Sequence, residues 1–261
     1  LQPTMSLFPR VIPVLTIRDR LLVKPFKFGE EKYVGDPVNA VRIFNEKQVD
    51  EIVFIDLGAS EQPGKVDLEF LEDMASEAFM PVGYGGGINS VGLAHEITSL
   101  GVEKVLLNSV FASDPHLVSM ISDEIGSQST VVSLDVRKKR FGGYETYAQR
   151  GRVKLGISPD ELARAAVRLG AGEIVLQSID RESTFQGYDL RLIEEVSASV
   201  GVPVVALGGA TGLEDFRAGI SAGASGVAAG SAFVLHGKHR AILITYPAQQ
   251  EVRSLSQSSM P

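Results

Sequence analysis

The chain contains no cysteine. That excludes disulfides, thiolate metal ligands and thiol nucleophiles, and it fits a reducing cytoplasm, the expected location. Positive charge is in short supply: 25 lysines and arginines stand against 32 aspartates and glutamates, a net charge of −7 over 261 residues. General nucleic-acid binding is therefore not expected, because phosphate neutralisation needs a basic face. Only four histidines occur, His95, His116, His236 and His239, and only the last two are close in sequence. Helix-surface placement is expected for all four, with no bound metal. No apolar run approaches the roughly 18 residues of a membrane span, and Leu1–Pro9 lacks the basic start of a signal peptide. Gln249–Pro261 is polar and serine-rich, and residues 1–9 and 249–261 are expected to be flexible tails of one domain spanning 1–261.

What is present is a passage written twice. Met80–Phe111 aligns without a gap to Val202–Phe233 at a constant shift of 122 residues, pairing Gly86-Gly87 with Gly208-Gly209, Ser109 with Ser231 and Phe111 with Phe233. The same shift pairs Glu51-Ile52-Val53 with Glu173-Ile174-Val175. A unit of half the chain is far longer than a solenoid period. It reads as one barrel made of two fused half-barrels.

Short apolar runs alternate with helical stretches. Strands are expected at Val11–Leu15, Ile52–Asp56, Pro81–Tyr84, Lys104–Leu107, Val131–Asp135, Ile174–Ser178, Val204–Leu207 and Gly226–Ala229. Their continuous apolar character is that of strands buried on both faces of a parallel sheet. Helices are expected at Pro37–Lys47, Asp67–Glu77, Ser90–Leu100, Pro115–Glu124, Pro159–Leu169 and Leu190–Val200, with Asp36 and Ser158 as N-caps before prolines. Eight βα units predict a (β/α)8 TIM barrel. An open doubly wound sheet would not explain the two equivalent halves.

In such a barrel, chemistry sits at the carboxyl ends of the strands. Tyr84-Gly85-Gly86-Gly87 ends one strand and opens a helix, and Asn108-Ser109 follows the next. Glycines let backbone N–H groups approach an anion, and a helix start adds positive potential. The second copy supplies Gly208, Gly209, Gly230 and Ser231. Two such cradles suggest a long ligand with a phosphate at each end. Asp135, closing an apolar run, is a candidate general acid or base; the alternative is a structural carboxylate bonded to loop amides. Its counterpart after Val11–Leu15 is Thr16, whose hydroxyl cannot do acid–base work near neutrality. Arg10, Glu51, Lys104 and Glu173 fall at strand starts and would form an alternating salt-bridge plug at the amino-terminal mouth, though rings of this kind also simply seal barrel bottoms. Lys24 lies in a long first loop, Arg18–Pro37, read as a mobile lid. Arg137-Lys138-Lys139-Arg140 reads as a solvated loop.

Together with Gly35-Asp36-Pro37, Gly170-Ala171-Gly172-Glu173-Ile174, Ser178-Ile179-Asp180-Arg181 and Gly187-Tyr188-Asp189, these residues resemble the cyclase subunit of imidazole glycerol phosphate synthase from Arg10 to Tyr246. The resemblance implies an ammonia-dependent, lyase-type synthase subunit with no cofactor. A glutaminase would dock on the amino-terminal face, and its ammonia would pass a gate matching Arg10, Glu51, Lys104 and Glu173. The acceptor would be a phosphorylated small molecule at the other end. Asp135 resembles one of two catalytic aspartates and Lys24 the loop lysine that closes over substrate. Three departures stand out: the other catalytic aspartate falls on Thr16, the glycine after the lysine is Pro25, and an Asp-Gly-Thr phosphate loop reads Glu182-Ser183-Thr184. The glycine-to-serine change is expected to remove a positive-φ position. Ile12-Pro13, Lys27-Phe28, Lys32–Pro37 and His236-Gly237-Lys238-His239 resemble a branch found with surface-polysaccharide genes. That branch works with a glutaminase and a separate sugar amidotransferase to amidate a nucleotide-linked sugar.

Overall fold

Eight parallel strands close on themselves in the computed structural model, which describes residues 9–25, 31–237 and 239–255. They are numbered β1 (Arg10–Arg18), β2 (Ile52–Asp56), β3 (Val82–Gly85), β4 (Lys104–Leu107), β5 (Thr130–Lys138), β6 (Glu173–Ser178), β7 (Val204–Leu207) and β8 (Gly226–Ala229). Each pairs with the next, and β8 returns to β1 with Gly226–Ala229 opposite Arg10–Pro13. This is the (β/α)8 barrel that the sequence predicts, and all eight strands fall where expected.

Alternation along the strands explains the continuous apolar runs. On β1, Val11, Leu15 and Ile17 pack outward in the layer beneath the helices, while Ile12 and Val14 join Val53, Leu106, Val131, Val175, Val205, Leu207 and Ala228 inside the barrel. Both faces are buried, so the middle of each strand is apolar on both sides. The helices start as their caps dictate. The Asp36 carboxylate accepts from Asn39 N at 2.7 Å ahead of Pro37–Glu46. Ser158 occupies the cap position of Pro159–Arg168, but its hydroxyl donates to Glu161 Oε2 at 3.1 Å instead of accepting from the backbone.

Three expectations need correction. First, β1 and β5 run past their expected ends because each continues into antiparallel structure: Leu21–Pro25 with Glu31–Gly35 after β1, and Tyr144–Ala148 with Val153–Lys154 after β5. The first loop is thus largely a paired hairpin; Lys27 and Phe28 lie outside the described residues. Second, Arg137 and Lys138 belong to β5, and Arg137 stacks over the Tyr147 ring at 5.0 Å. Third, Gln249–Ser254 is helical, with Val252 and Leu255 buried in the core. Its two apolar residues, three apart, fall on one face and anchor it, while Tyr246 OH donates to Val11 O at 2.9 Å just before it.

The duplication is visible in the backbone. Gly64 N donates to Gly87 O at 2.8 Å, and in the second half Gly187 N, one residue beyond the position matching Gly64, donates to Gly209 O at 2.9 Å. Gly87 and Gly209 adopt φ of 68° and 97°, and an added Cβ would lie 2.6 Å from Ala59 O and 2.3 Å from Gly187 O respectively. Both positions thus combine a left-handed backbone with a close approach. Gly87→Ala and Gly209→Ala should each lose about 2 kcal/mol or more in denaturant unfolding. Losses below about 0.5 kcal/mol, the usual range for surface changes, would show that these turns relax freely.

Candidate functional site

The inner face of each strand reads as a column. On β1 it runs Arg10, Ile12, Val14, Thr16; on β6, Glu173, Val175, Gln177; on β5, Val131, Ser133, Asp135. Charge stands at the amino-terminal end, aliphatic residues in the middle and polar groups at the carboxyl end. Arg10 to Thr16 spans about 20 Å of strand at roughly 3.3 Å per residue. The middle is hollow: a cavity of ≈ 480 Å³ is lined by Glu51, Lys104 and Glu173 at one end and by Asp135, Gln177 and Lys24 at the other. Most barrels of this type are filled with side chains.

At the amino-terminal end the four expected residues form a closed ring. Arg10 donates to Glu51 Oε2 and to Glu173 Oε2. Lys104 Nζ donates to Glu51 at 2.8 and 3.0 Å and to Glu173 at 3.2 and 3.4 Å. The Glu51 side chain is only 3% exposed and that of Glu173 8%. Burial opposes the charge on Arg10, but Glu173 and Glu51 outweigh it and raise the guanidinium above its ordinary range. Each member compensates its neighbours, so loss of one would leave a buried charge unpaired.

At the carboxyl end Asp135 is 5% exposed. Burial pushes its carboxyl up to about 7; an Asn108 hydrogen bond opposes the shift and the Glu182 charge adds to it. The group therefore exchanges its proton near neutrality, as an acid–base role requires. Thr16 is turned to another task, its Oγ1 donating to the Val23 carbonyl of the hairpin. Lys24 is buried in an ion pair with Glu182. Gly86, Gly87, Asn108 and Ser109 line the large cavity, and Asn108 Nδ2 donates to Ser133 O at 2.9 Å. Gly208, Gly209, Gly230 and Ser231 surround a separate space of ≈ 10 Å³. Ser183 keeps the positive φ, 58°, that its replacement of glycine was expected to remove. Its single hydroxyl proton is shared between Pro25 O at 3.1 Å and Glu182 at 3.2 Å, and its oxygen lies 2.9 Å from the Ser231 hydroxyl, contacts that offset the cost of that backbone.

A second alternating ring, missed in the sequence, braces the open mouth. Arg18 donates to Glu31 at 2.7 and 2.9 Å and to Glu61 at 2.9 and 3.1 Å. Arg150 donates to Glu61 at 2.5 Å and to Glu31 at 3.3 Å. The ring ties the hairpin after β1 to the hairpin after β5. The histidines are all exposed; His236 and His239 lie in a short strand and a turn, not on a helix. Among the described residues no helix is long and apolar enough to cross a membrane.

Fold and site define a two-halved (β/α)8 barrel with a charged ring at one mouth, an apolar bore, and a glycine cradle with one buried carboxylate of raised pKa at the other. A family model described as "Histidine biosynthesis protein" matches residues 10–240, and the chain belongs to that family. It is 48% identical over 243 residues to a Pseudomonas aeruginosa protein provisionally named imidazole glycerol phosphate synthase subunit hisF2, covering 91% of this chain and 95% of that one. It is 42% identical to a Leptospira interrogans protein provisionally named as the HisF subunit, over 95% of this chain and 98% of that one. It is 39% identical to the imidazole glycerol phosphate synthase subunit HisF of Alkaliphilus metalliredigens, over 79% and 82%.

Because the folded pKa of Asp135 is raised, the linked stability is present below the ordinary aspartate pKa of about 3.9 and lost as pH rises through about 7. Asp135→Asn should therefore gain stability relative to the parent chain between pH 5 and pH 8. The Asp135 carboxyl carbon should titrate near 7 by NMR, and lower in Glu182→Gln. A midpoint near 4 would remove the acid–base assignment.

Proposed function

We propose that this chain is the cyclase-like subunit of an imidazole glycerol phosphate synthase-type glutamine amidotransferase complex, working as an ammonia conduit for amidation of a nucleotide-linked sugar. A glutaminase docks on the amino-terminal face, ammonia passes the Arg10–Glu51–Lys104–Glu173 ring, and the apolar bore carries it to the far mouth. A separate sugar amidotransferase there is the expected acceptor enzyme, in surface-polysaccharide synthesis. The bore favours neutral ammonia because an ammonium ion would lose its hydration with no partner along the aliphatic stretch.

The observation that carries this reading is the contrast between the two ends. The conduit end is complete, with all four charges present and mutually bonded. At the chemical end the first carboxylate position holds Thr16, whose hydroxyl is committed to Val23, and the hairpin lysine is committed to Glu182. Losing one general acid or base typically lowers a rate by about 10²–10⁴. The competing reading is an ordinary cyclase of histidine biosynthesis, favoured by one observation, the tuning of Asp135 toward neutrality.

Turnover of the histidine-pathway substrate with excess ammonium at alkaline pH, with Asp135→Asn as control, separates the two. Conduit function predicts a rate about 10² or more below an ordinary cyclase, with retained stimulation of a glutaminase partner. In that coupled assay Lys104→Ala should break the link between glutamine hydrolysis and ammonia delivery. Turnover at ordinary rates, abolished by Asp135→Asn, would refute the amidation reading.

A further inference from the structure

The repeat puts a glycine cradle in each half, but only one is open. In the first half, Gly86, Gly87, Asn108 and Ser109 border the ≈ 480 Å³ cavity. In the second, Gly208, Gly209, Gly230 and Ser231 border a space of ≈ 10 Å³, room for about one water and none for a phosphoryl group, and Gly230 with Glu182 and Lys24 also faces the large cavity. A carboxylate stands at the edge of the second cradle. Glu182 borders it, is 5% exposed, pairs with the ammonium of Lys24 and accepts from Ser183, which in turn bonds Ser231. The Lys24 ammonium rests against Gly230, where a Cβ would stand 2.7 Å from Nζ. The Lys24 ammonium and the Ser183 hydroxyl, groups an incoming phosphate would use on this side, already serve an internal anion, and Gln177 Nε2 donates to the same carboxylate at 3.4 Å.

We propose that Glu182 is the residue that sets ligand charge: it is a built-in anion in the second cradle, so the chamber takes a sugar monophosphate. The single phosphoryl group seats on Gly86, Gly87, Asn108 and Ser109, and a neutral hydroxyl-bearing end faces Glu182. A second phosphoryl group would have to displace a buried carboxylate from its Lys24 partner and would meet its negative charge. The inference concerns the barrel's own ligand and rests on the proposed function to this extent: the ammonia acceptor is not a two-phosphate substrate bound in this chamber.

The test is amide-resolved NMR of the full chain titrated with inorganic phosphate. In the native protein, shifts should appear at Gly87 and Ser109, with Gly209 and Ser231 responding at least about tenfold more weakly, a difference near 1.4 kcal/mol. Glu182→Ala frees Lys24 and the space beside it, so Gly209 and Ser231 should now respond with a midpoint within about threefold of the first cradle. Ser109→Asp should abolish the response at Gly87 in either background. Equal response of both cradles in the native protein would overturn the proposal without any variant. So would silence at the first cradle, or a folded Glu182→Ala whose second cradle stays silent. Because the readout is phosphate binding, a chain that binds one phosphate as described yet fails to stimulate a glutaminase would refute the proposed function and leave this inference standing, whereas ordinary-rate cyclisation of the histidine-pathway substrate, which carries two phosphates, would overturn both.

Discussion

The two-residue period of eight strands closed into a ring is the constraint on which everything else rests. Once β8 pairs with β1, the inward or outward direction of every strand residue is decided, and a slip of one residue would invert the whole set. In this register Arg10, Glu51, Lys104 and Glu173 meet at one end and Thr16, Asp135 and Gln177 face the cavity at the other. The aliphatic side chains between them prevent the two polar ends from mixing. The charged ring also supports the register: a shifted strand would place a glutamate or lysine among aliphatic side chains without its partners, at a cost of several kcal/mol.

The duplicated halves share a frame and differ in what stands on it. Both first strands extend into antiparallel hairpins, both glycine turns make the same backbone bond, and both cradles keep their serine. The first half keeps an open cradle but has Thr16 at its strand end. The second half has the buried carboxylate Asp135 at its strand end, and Glu182 borders its cradle. The chemistry has been divided between halves whose backbones remain equivalent, so change has been concentrated in side chains at strand ends, where the barrel does not depend on them.

Legibility followed the same line. Strands buried on both faces announce themselves as apolar runs, so all eight were readable, and strand starts placed the lower ring because parity is a local property. The accessory hairpins were not readable: Glu31–Gly35 and Val153–Lys154 are short and carry exposed polar residues, and their pairing depends on β1 and β5 continuing outward. The Lys24–Glu182 pair joins residues 158 apart, and the Arg18–Glu31–Glu61–Arg150 ring joins four segments. No spacing rule links such positions. The Ser183 backbone was misjudged because a side chain bonded on three sides can hold a conformation that propensity alone disfavours. The helix after Ala248 was hidden by polar composition, in which two buried residues sufficed to anchor it.

The two salt-bridge rings have similar charge patterns and opposite character. In the lower ring the glutamates are almost wholly enclosed, so solvent and salt screen it little, and opening it exposes unpaired charge to an apolar bore. The upper ring is wetter: the Glu61 side chain is 36% exposed, and water can replace any contact that breaks. Arg18 hydrogen bonds depress the pKa of both Glu31 and Glu61, so the ring stays charged at neutral pH and weakens only as pH falls through the acid range. The costly barrier is therefore at the amino-terminal mouth and the yielding one at the carboxyl-terminal mouth. The conduit proposed above would use this asymmetry. Its entrance should open only when a partner supplies compensating contacts, whereas its exit must exchange ligand with solvent at each turnover.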